Sequence, residues 1–216
     1  MTERVNPKRT YDSPRRREQA ASTRREILAA AQRLFEGEGY STTKMADIAA
    51  EAGVALKTVY AAFETKSGVL RALWHLLLRG DDDDEPVMNR AWYREALEEP
   101  DPARQLRLNA RNSRAVKERV AALLEVIRQA APLDPESAEL WARIQSDFYD
   151  NQRDIVKTLR AKQALRPGLT VARATDILWT LNHPDVWQLL VGQRGWTPPQ
   201  YERWFGDTAC AQLLGR

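Results

Sequence analysis

Residues 23–74, TRREILAAAQRLFEGEGYSTTKMADIAAEAGVALKTVYAAFETKSGVLRALW, decide how this 216-residue chain folds. Ile27, Ala30, Ala31, Leu34 and Phe35 recur at helical spacing, which predicts a helix over about 22–36, capped by Ser22 or Thr23, with one apolar face. Gly37 and Gly39 end it, because glycine tolerates the left-handed turn that closes a helix. Thr43 is placed to cap a second helix whose apolar face is Met45, Ile48, Ala49 and Ala52, and Gly53 breaks that helix early. A third short helix over about 56–63 turns Val59 and Phe63 inward. Thr65 then caps a fourth running to 79, with Val69, Leu70, Leu73, Trp74 and Leu77 inside.

The second and third helices and the turn Ala52-Gly53-Val54 between them read as a helix-turn-helix. Small Ala52 lets the helices approach, Gly53 takes a backbone angle that other residues resist, and Val54 plugs the core below. Ile48 and Val59 are expected to pack across the turn, leaving the third helix on the surface, narrow enough for a major groove about 12 Å wide.

Working outward, ten glycines and an abundance of Ala, Leu, Arg and Glu favour helix throughout, so the predicted fold class is all-α. The expected layout has three parts. Residues 1–20, with the run Arg15-Arg16-Arg17, read as a flexible basic arm, either touching phosphate or minor groove or simply solvated. Residues 21–80 form an N-terminal helix-turn-helix domain that includes the linking helix 65–79, and residues 81–216 form a larger helical body. The acidic run 81–85 reads as a solvated linker, since adjacent carboxylates do not converge on one ion. Prolines delimit body helices at about 87–98, 102–131, 135–164, 170–182, 185–194 and 199–214.

Several function classes are disfavoured. Cys210 is the single cysteine, and His75 and His183 lie far apart without ligand spacing, so neither a disulfide nor a metal or other cofactor is expected. The sequence has no secretory leader and no apolar run of 18 residues, which predicts a cytoplasmic protein with no membrane partner. Neither a Gly-rich phosphate loop nor a nucleophile motif is present, and the Glu-x-x-His pairs of di-metal bundles are missing, so an enzyme is the lesser alternative. Charge is uneven: residues 1–80 carry 14 Lys and Arg against 9 Asp and Glu, whereas residues 81–216 carry 19 against 21. A basic head on a mildly acidic body points to a polyanionic partner, double-stranded DNA, although scatter would also give so modest an excess.

The landmarks Leu34-Phe35, Gly39-Tyr40, Thr43, Ile48-Ala49, Ala52-Gly53-Val54, Thr58-Val59-Tyr60, Phe63, Lys66 and Leu70 give this head a specific resemblance to the TetR family of transcriptional regulators. The resemblance implies phosphate contacts from Thr58, Tyr60 and Lys66, the last at the start of the fourth helix, where its charge adds to the helix dipole. Thr43 and Lys44 are placed for a neighbouring phosphate, although capping would also explain Thr43 and Thr58. Base reading then falls to Leu56, Lys57, Ala61 and Ala46, with Lys57 facing guanine edges and the apolar side chains facing thymine methyls. One departure stands out: Ala55 occupies a position where the family usually has serine, removing a cap worth about 1 kcal/mol.

In the body, helix 102–131 presents Leu106, Ala110, Val116, Val120, Leu123, Leu124 and Ile127 inward, with Asn109 and Ser113 on or beside that stripe. Helix 135–164 turns Trp141, Ile144, Phe148, Ile155 and Leu159 inward, bordered by Gln145, Tyr149 and Gln152. Polar groups beside an apolar interior need partners, either neighbouring side chains and water or a small molecule. Trp92, Asn109, Ser113, Trp141, Gln145, Phe148, Tyr149 and Gln152 are therefore the candidate wall of a pocket for an unidentified effector. Ala174, Ile177, Leu178 and Leu181, with Tyr201, Trp204, Phe205, Thr208, Ala209 and Gln212, carry more apolar surface than one face needs, and so mark either a homodimer seam or ordinary core. The expected function is a DNA-binding transcriptional regulator, a ligand-responsive repressor on a palindromic operator, with a DNA-binding helical protein lacking small-molecule control as the alternative.

Overall fold

The computed structural model describes residues 14–80, 85 and 87–215. Among them the chain forms α1 (Pro14–Glu38), α2 (Met45–Glu51), α3 (Leu56–Phe63), α4 (Lys66–Arg79), α5 (Ala91–Glu98), α6 (Pro102–Ala130), α7 (Pro135–Ala161), α8 (Val171–Leu181), the short α9 (Pro184–Trp187) and α10 (Pro198–Leu213). The fold is all-α; its one β-like feature among the described residues is an isolated antiparallel bridge between Leu165 and Leu214.

The prolines that punctuate the body prove to be helix starters. Pro102, Pro135, Pro184 and Pro198 each open a helix, where the missing N–H is not needed and φ is already set. Asp101 caps α6 by accepting from the amides of Ala103 (2.8 Å) and Arg104 (3.2 Å). Asp134 caps α7 by accepting from the Ser137 amide at 3.1 Å, and Thr170 does the same for α8 through the Arg173 amide at 3.2 Å.

Three boundaries differ from the sequence expectation. The first helix begins at Pro14, so residues 14–20 are helical and not a flexible arm; residues 1–13 lie outside the described part. Arg, Glu, Gln and Ala all propagate a helix well, and Ser22 continues it, spending its hydroxyl on Glu26 Oε1 (3.0 Å) instead of capping. The helix expected over 87–98 is interrupted: a 3-10 turn at Val87–Asn89 precedes α5, and the buried Arg90 donates through Nε to the Glu85 carbonyl at 3.1 Å. Helix α7 stops at Ala161, before Gln163 at φ +56°, which frees Leu165 to pair with Leu214. The acidic run 81–84 lies outside the described residues.

Two apolar clusters hold the chain together. One joins Ile27, Phe35, Ile48, Val59 and Leu70 of the head to Val120, Leu124 and Ile127 of α6 and Ile144 of α7. Packing is therefore continuous across residue 80. The other joins Leu106 of α6, Val156 and Leu159 of α7, Leu178 of α8 and Tyr201 and Phe205 of α10. Each fully buried Ile, Leu or Phe stabilises this arrangement by about 1.5–3 kcal/mol relative to leaving it in water.

Candidate nucleic-acid interface and ligand cavity

Four devices fix α3 on the surface. Ile48 and Val59 are fully buried on either side of Gly53, which adopts φ +66°, and the Val54 amide closes the turn on the Ala49 carbonyl at 3.0 Å. From α1, Arg24 donates Nη1 to the Ala62 carbonyl at 2.9 Å and lays its guanidinium 4.2 Å over the Phe63 ring. Arg33 of α1 pairs with Glu51 of α2 at 2.8 Å. At the corner into α4, a Cβ on Gly68 would stand 2.2 Å from the Phe63 carbonyl oxygen, so the close approach of α3 and α4 requires glycine.

What this scaffold exposes is the face expected to meet DNA. Leu56 is 41% and Tyr60 48% exposed, unusual for large apolar side chains in a packed head, and Lys57 and Ala61 lie open beside them. Lys44 and Ala46 at the start of α2 are exposed, and Thr58 is half-buried. Ala55 takes the extended cap geometry (φ −69°, ψ 142°) with no side chain to accept a hydrogen bond, as its identity dictates.

Two candidate phosphate ligands sit differently from expectation. Thr43 is fully buried and donates its hydroxyl to the Gly39 carbonyl at 2.9 Å, so it neither caps α2 nor reaches a phosphate. The cap position belongs to Lys44, whose amide donates to Asp47 Oδ2 at 2.9 Å. Lys66 is half-buried: Nζ donates to the carbonyls of Tyr40 (2.7 Å) and Thr43 (2.9 Å) and stands 4.1 Å over the Tyr40 ring. An ammonium has three N–H groups, so one remains for a phosphate, while the other two tie the loop between α1 and α2 to the start of α4. Burial lowers the Lys66 pKa, opposed by the Asp134 charge.

The same corner is bolted to the body by contacts that sequence reasoning missed. Tyr40 donates its hydroxyl to Asp134 Oδ2 at 3.2 Å, and Ser67 donates to Glu136 Oε2 at 2.9 Å, both at the N-terminus of α7. Burial alone would raise the Asp134 pKa, but hydrogen bonds from Ser137 and Tyr40 outweigh it and hold the carboxyl below its ordinary value. At the other end of α4, Arg119 of α6 donates to the carbonyls of Leu77 (3.0 Å) and Leu78 (3.1 Å).

Between α4, α5, α6 and α7 lies a cavity of about 480 Å³. Of the predicted wall, Trp92, Asn109, Ser113, Phe148 and Gln152 line it, and Asn109 donates to Gln152 Oε1 at 3.1 Å. Trp141, Gln145 and Tyr149 do not, because they fall on another side of α7. Trp141 borders a small cleft with Lys117 and Trp187, Gln145 Oε1 accepts from His183 Nε2 at 3.3 Å, and Tyr149 donates to Asp176 Oδ1 at 3.1 Å. The structure adds Trp74, His75 and Leu78 from α4, Tyr93 from α5, and Asp147, Asp150 and Asp154 from α7. Burial, then the charges of Arg79, Arg71 and Arg143, lower the His75 pKa and favour its neutral form. Trp92 and Tyr93 are neighbours in sequence and both line the cavity, and Asn112 ties the short α5 to α6 by donating to the Trp92 carbonyl at 2.8 Å; no periodicity signals such an arrangement.

The predicted seam divides in two. Ala174, Leu178, Tyr201, Phe205 and Ala209 are at most 1% exposed within the single chain and belong to its core, where α8 and α10 pack on α6 and α7. Ile177, Leu181, Thr208 and Gln212 line an open surface groove between α8 and α10, and Trp204 is half-buried nearby.

A helix-turn-helix head with an outward-facing third helix, packed on a helical body with a cavity beside α4, defines the class: a DNA-binding transcriptional regulator. Residues 27–73 match the family model described as bacterial regulatory proteins, tetR family. The chain is 30% identical over 157 residues to the HTH-type transcriptional regulator TtgR of Pseudomonas putida, covering 71% of each protein. In fold it resembles NalD, the secondary repressor of the MexAB-OprM multidrug efflux pump in Pseudomonas aeruginosa, at TM-score 0.68 and 22% identity over 91% of this chain and 98% of that one. It also resembles the protein of a SmeT–triclosan complex, at TM-score 0.70 and 20% identity over 89% and 92%. This chain belongs to the TetR family of regulatory proteins. None of its described helices is long and apolar enough to cross a membrane.

Proposed function

We propose that the protein is a cytoplasmic, ligand-responsive repressor that binds a palindromic operator as a homodimer. The observation that carries this reading is the position of α4. Its first residue, Lys66, holds the loop beside the helix-turn-helix and the next, Ser67, bonds Glu136 of α7, while Trp74, His75 and Leu78 further along form one wall of the cavity. A ligand preferring one setting of α4 must change DNA affinity by the ratio of its affinities for the two settings. The clamp from Tyr40 and Ser67 to the start of α7 gives a second route, since α7 also lines the cavity. The cavity beside that helix favours this reading over a DNA-binding protein without small-molecule control.

In the complex Lys44, Thr58, Tyr60 and the remaining N–H of Lys66 meet phosphates, and Leu56, Lys57, Ala61 and Ala46 face base edges. Two heads on one palindrome add their free energies, which a single short helix needs for useful specificity. Ile177, Leu181, Trp204, Thr208 and Gln212 on the outer sides of α8 and α10 form the seam, as the open groove there supports. The repressor assignment follows the role of NalD as a repressor, and the small-molecule assignment is supported by the triclosan complex of SmeT. The test is to select duplex fragments bound by the purified protein and then to titrate candidate effectors against the best fragment. Release by a molecule that also raises the melting temperature of the free protein supports the reading; a protein that binds duplex as a monomer, or whose complex no cavity-binding molecule weakens, refutes it.

A further inference from the structure

Tyr93 is 7% exposed and lines the cavity, yet its hydroxyl meets no hydrogen-bond partner among the described residues. Such a buried hydroxyl has given up water without replacement, so any molecule that supplies a partner there recovers the lost bond. The direction of that bond is set by the surroundings. Asp150 and Asp154 line the same cavity; burial first and then their charges raise the Tyr93 pKa, keeping the phenol protonated and able to donate. The cations around the cavity do not offset this at depth. Arg153 is tied to Asp150 at 2.9 Å and Lys157 to Asp154 at 3.1 Å, so neither cation is left for an anionic ligand; Arg143 is exposed, and burial with nearby arginines favours neutral His75. The buried Lys117 amine stands behind Asn182, whose Oδ1 it already occupies. The remaining wall mixes aliphatic and amide side chains with three aromatic rings, Trp74, Trp92 and Phe148.

We propose that the cavity takes an uncharged, largely aromatic molecule carrying a carbonyl or ether oxygen that accepts from the Tyr93 hydroxyl, and that it discriminates against carboxylates. This deepens the effector-site reading given above and rests on the cavity being a ligand site.

A matched pair of fluorescent probes tests it on the full chain: the neutral ketone prodan and the carboxylate of the same ring, dimethylaminonaphthoate. Prodan is expected to bind at least about tenfold more tightly, since a carboxylate must leave water for a cavity whose deeper cations are already paired. Tyr93→Phe should weaken prodan by about three- to tenfold, the worth of one neutral hydrogen bond, and shift its bound emission to the blue. The melting temperature should hold or rise, because the lost hydroxyl had no partner. Asp154→Asn combined with Asp150→Asn should narrow the gap between the probes without touching the phenol. Equal binding of the two probes, an unaltered prodan affinity and emission in Tyr93→Phe, or no binding of either probe overturns the inference. If prodan binds as described but does not release operator DNA, the regulatory reading fails while the ligand chemistry of the cavity stands.

Discussion

Replacing Lys117 by Met should make the protein more stable at neutral pH and remove part of its pH dependence. Lys117 on α6 is 1% exposed; its amine donates to Asn182 Oδ1 and lies 5.5 Å over the Tyr201 ring. Burial pushes its pKa down from 10.5 to about 7. Forcing the charged form into this site therefore costs roughly 5 kcal/mol, at about 1.4 kcal/mol per pH unit of displacement. Between pH 7 and 10.5 the unfolded chain still holds the proton that the folded chain has released, so folded stability rises with pH across that window and levels off on either side. Integrated from pH 7 to 9, the gain is about 2 kcal/mol for this one group. Met fills similar volume without a charge, at the expense of leaving the Asn182 oxygen unpaired, about 1–3 kcal/mol. Urea unfolding of both proteins, followed by circular dichroism at pH 7, 8 and 9, reads the effect. The advantage of Lys117→Met at pH 7 should shrink by about 2 kcal/mol by pH 9. A gap that does not change with pH would show that the amine keeps its proton, and would refute the claim that burial strips its charge.

Further outcomes concern the head. Ala55→Ser should restore a cap on α3 and add about 1 kcal/mol, raising the melting temperature by about 2–4 °C in a differential scan; no rise would mean that the cap geometry at Ala55 is not used. Gly68→Ala should cost about 3 kcal/mol or more by the same scan and lose DNA binding, because the new methyl meets the Phe63 carbonyl; near-wild-type stability would show that the corner can open. Tyr60→Phe should weaken binding to every duplex by a similar factor, whereas Lys57→Ala should relax preference at one base position, both read by fluorescence anisotropy on a panel of single-substitution operators. Equal effects across the whole panel would show that base reading lies elsewhere.

Most of the head was legible because its burial pattern is strictly periodic and its breaks are glycines. Ile27, Phe35, Ile48, Val59 and Leu70 fall where helical spacing puts them, and Gly53 bears the positive φ that the turn needs. The long stripes of α6 and α7 were legible for the same reason. What escaped depends on pairing between distant segments. Thr43 and Lys66 have residue types suited to phosphate, but their local carbonyl neighbours occupy Thr43 fully and Lys66 in part. Trp141, Gln145 and Tyr149 share α7 with true cavity residues but lie on the side of it turned to α8 and α9, and which side faces the cavity is settled only by tertiary packing. The surplus apolar surface of α8 and α10 was visible, but not that α6 and α7 cover half of it. Nothing in the spacing foretells that Tyr40 bonds Asp134, 94 residues away.

The central claim is that the exposed side of α3, with Leu56, Lys57, Tyr60 and Ala61, lies against duplex DNA while lysines and hydroxyls around it meet phosphates. Its most direct test is the affinity for a selected duplex as salt is raised from 50 to 200 mM. A dimer making on the order of six or more phosphate contacts should lose about a thousandfold in affinity over that range. A salt-independent affinity, or none for any duplex in the selected pool, would contradict it.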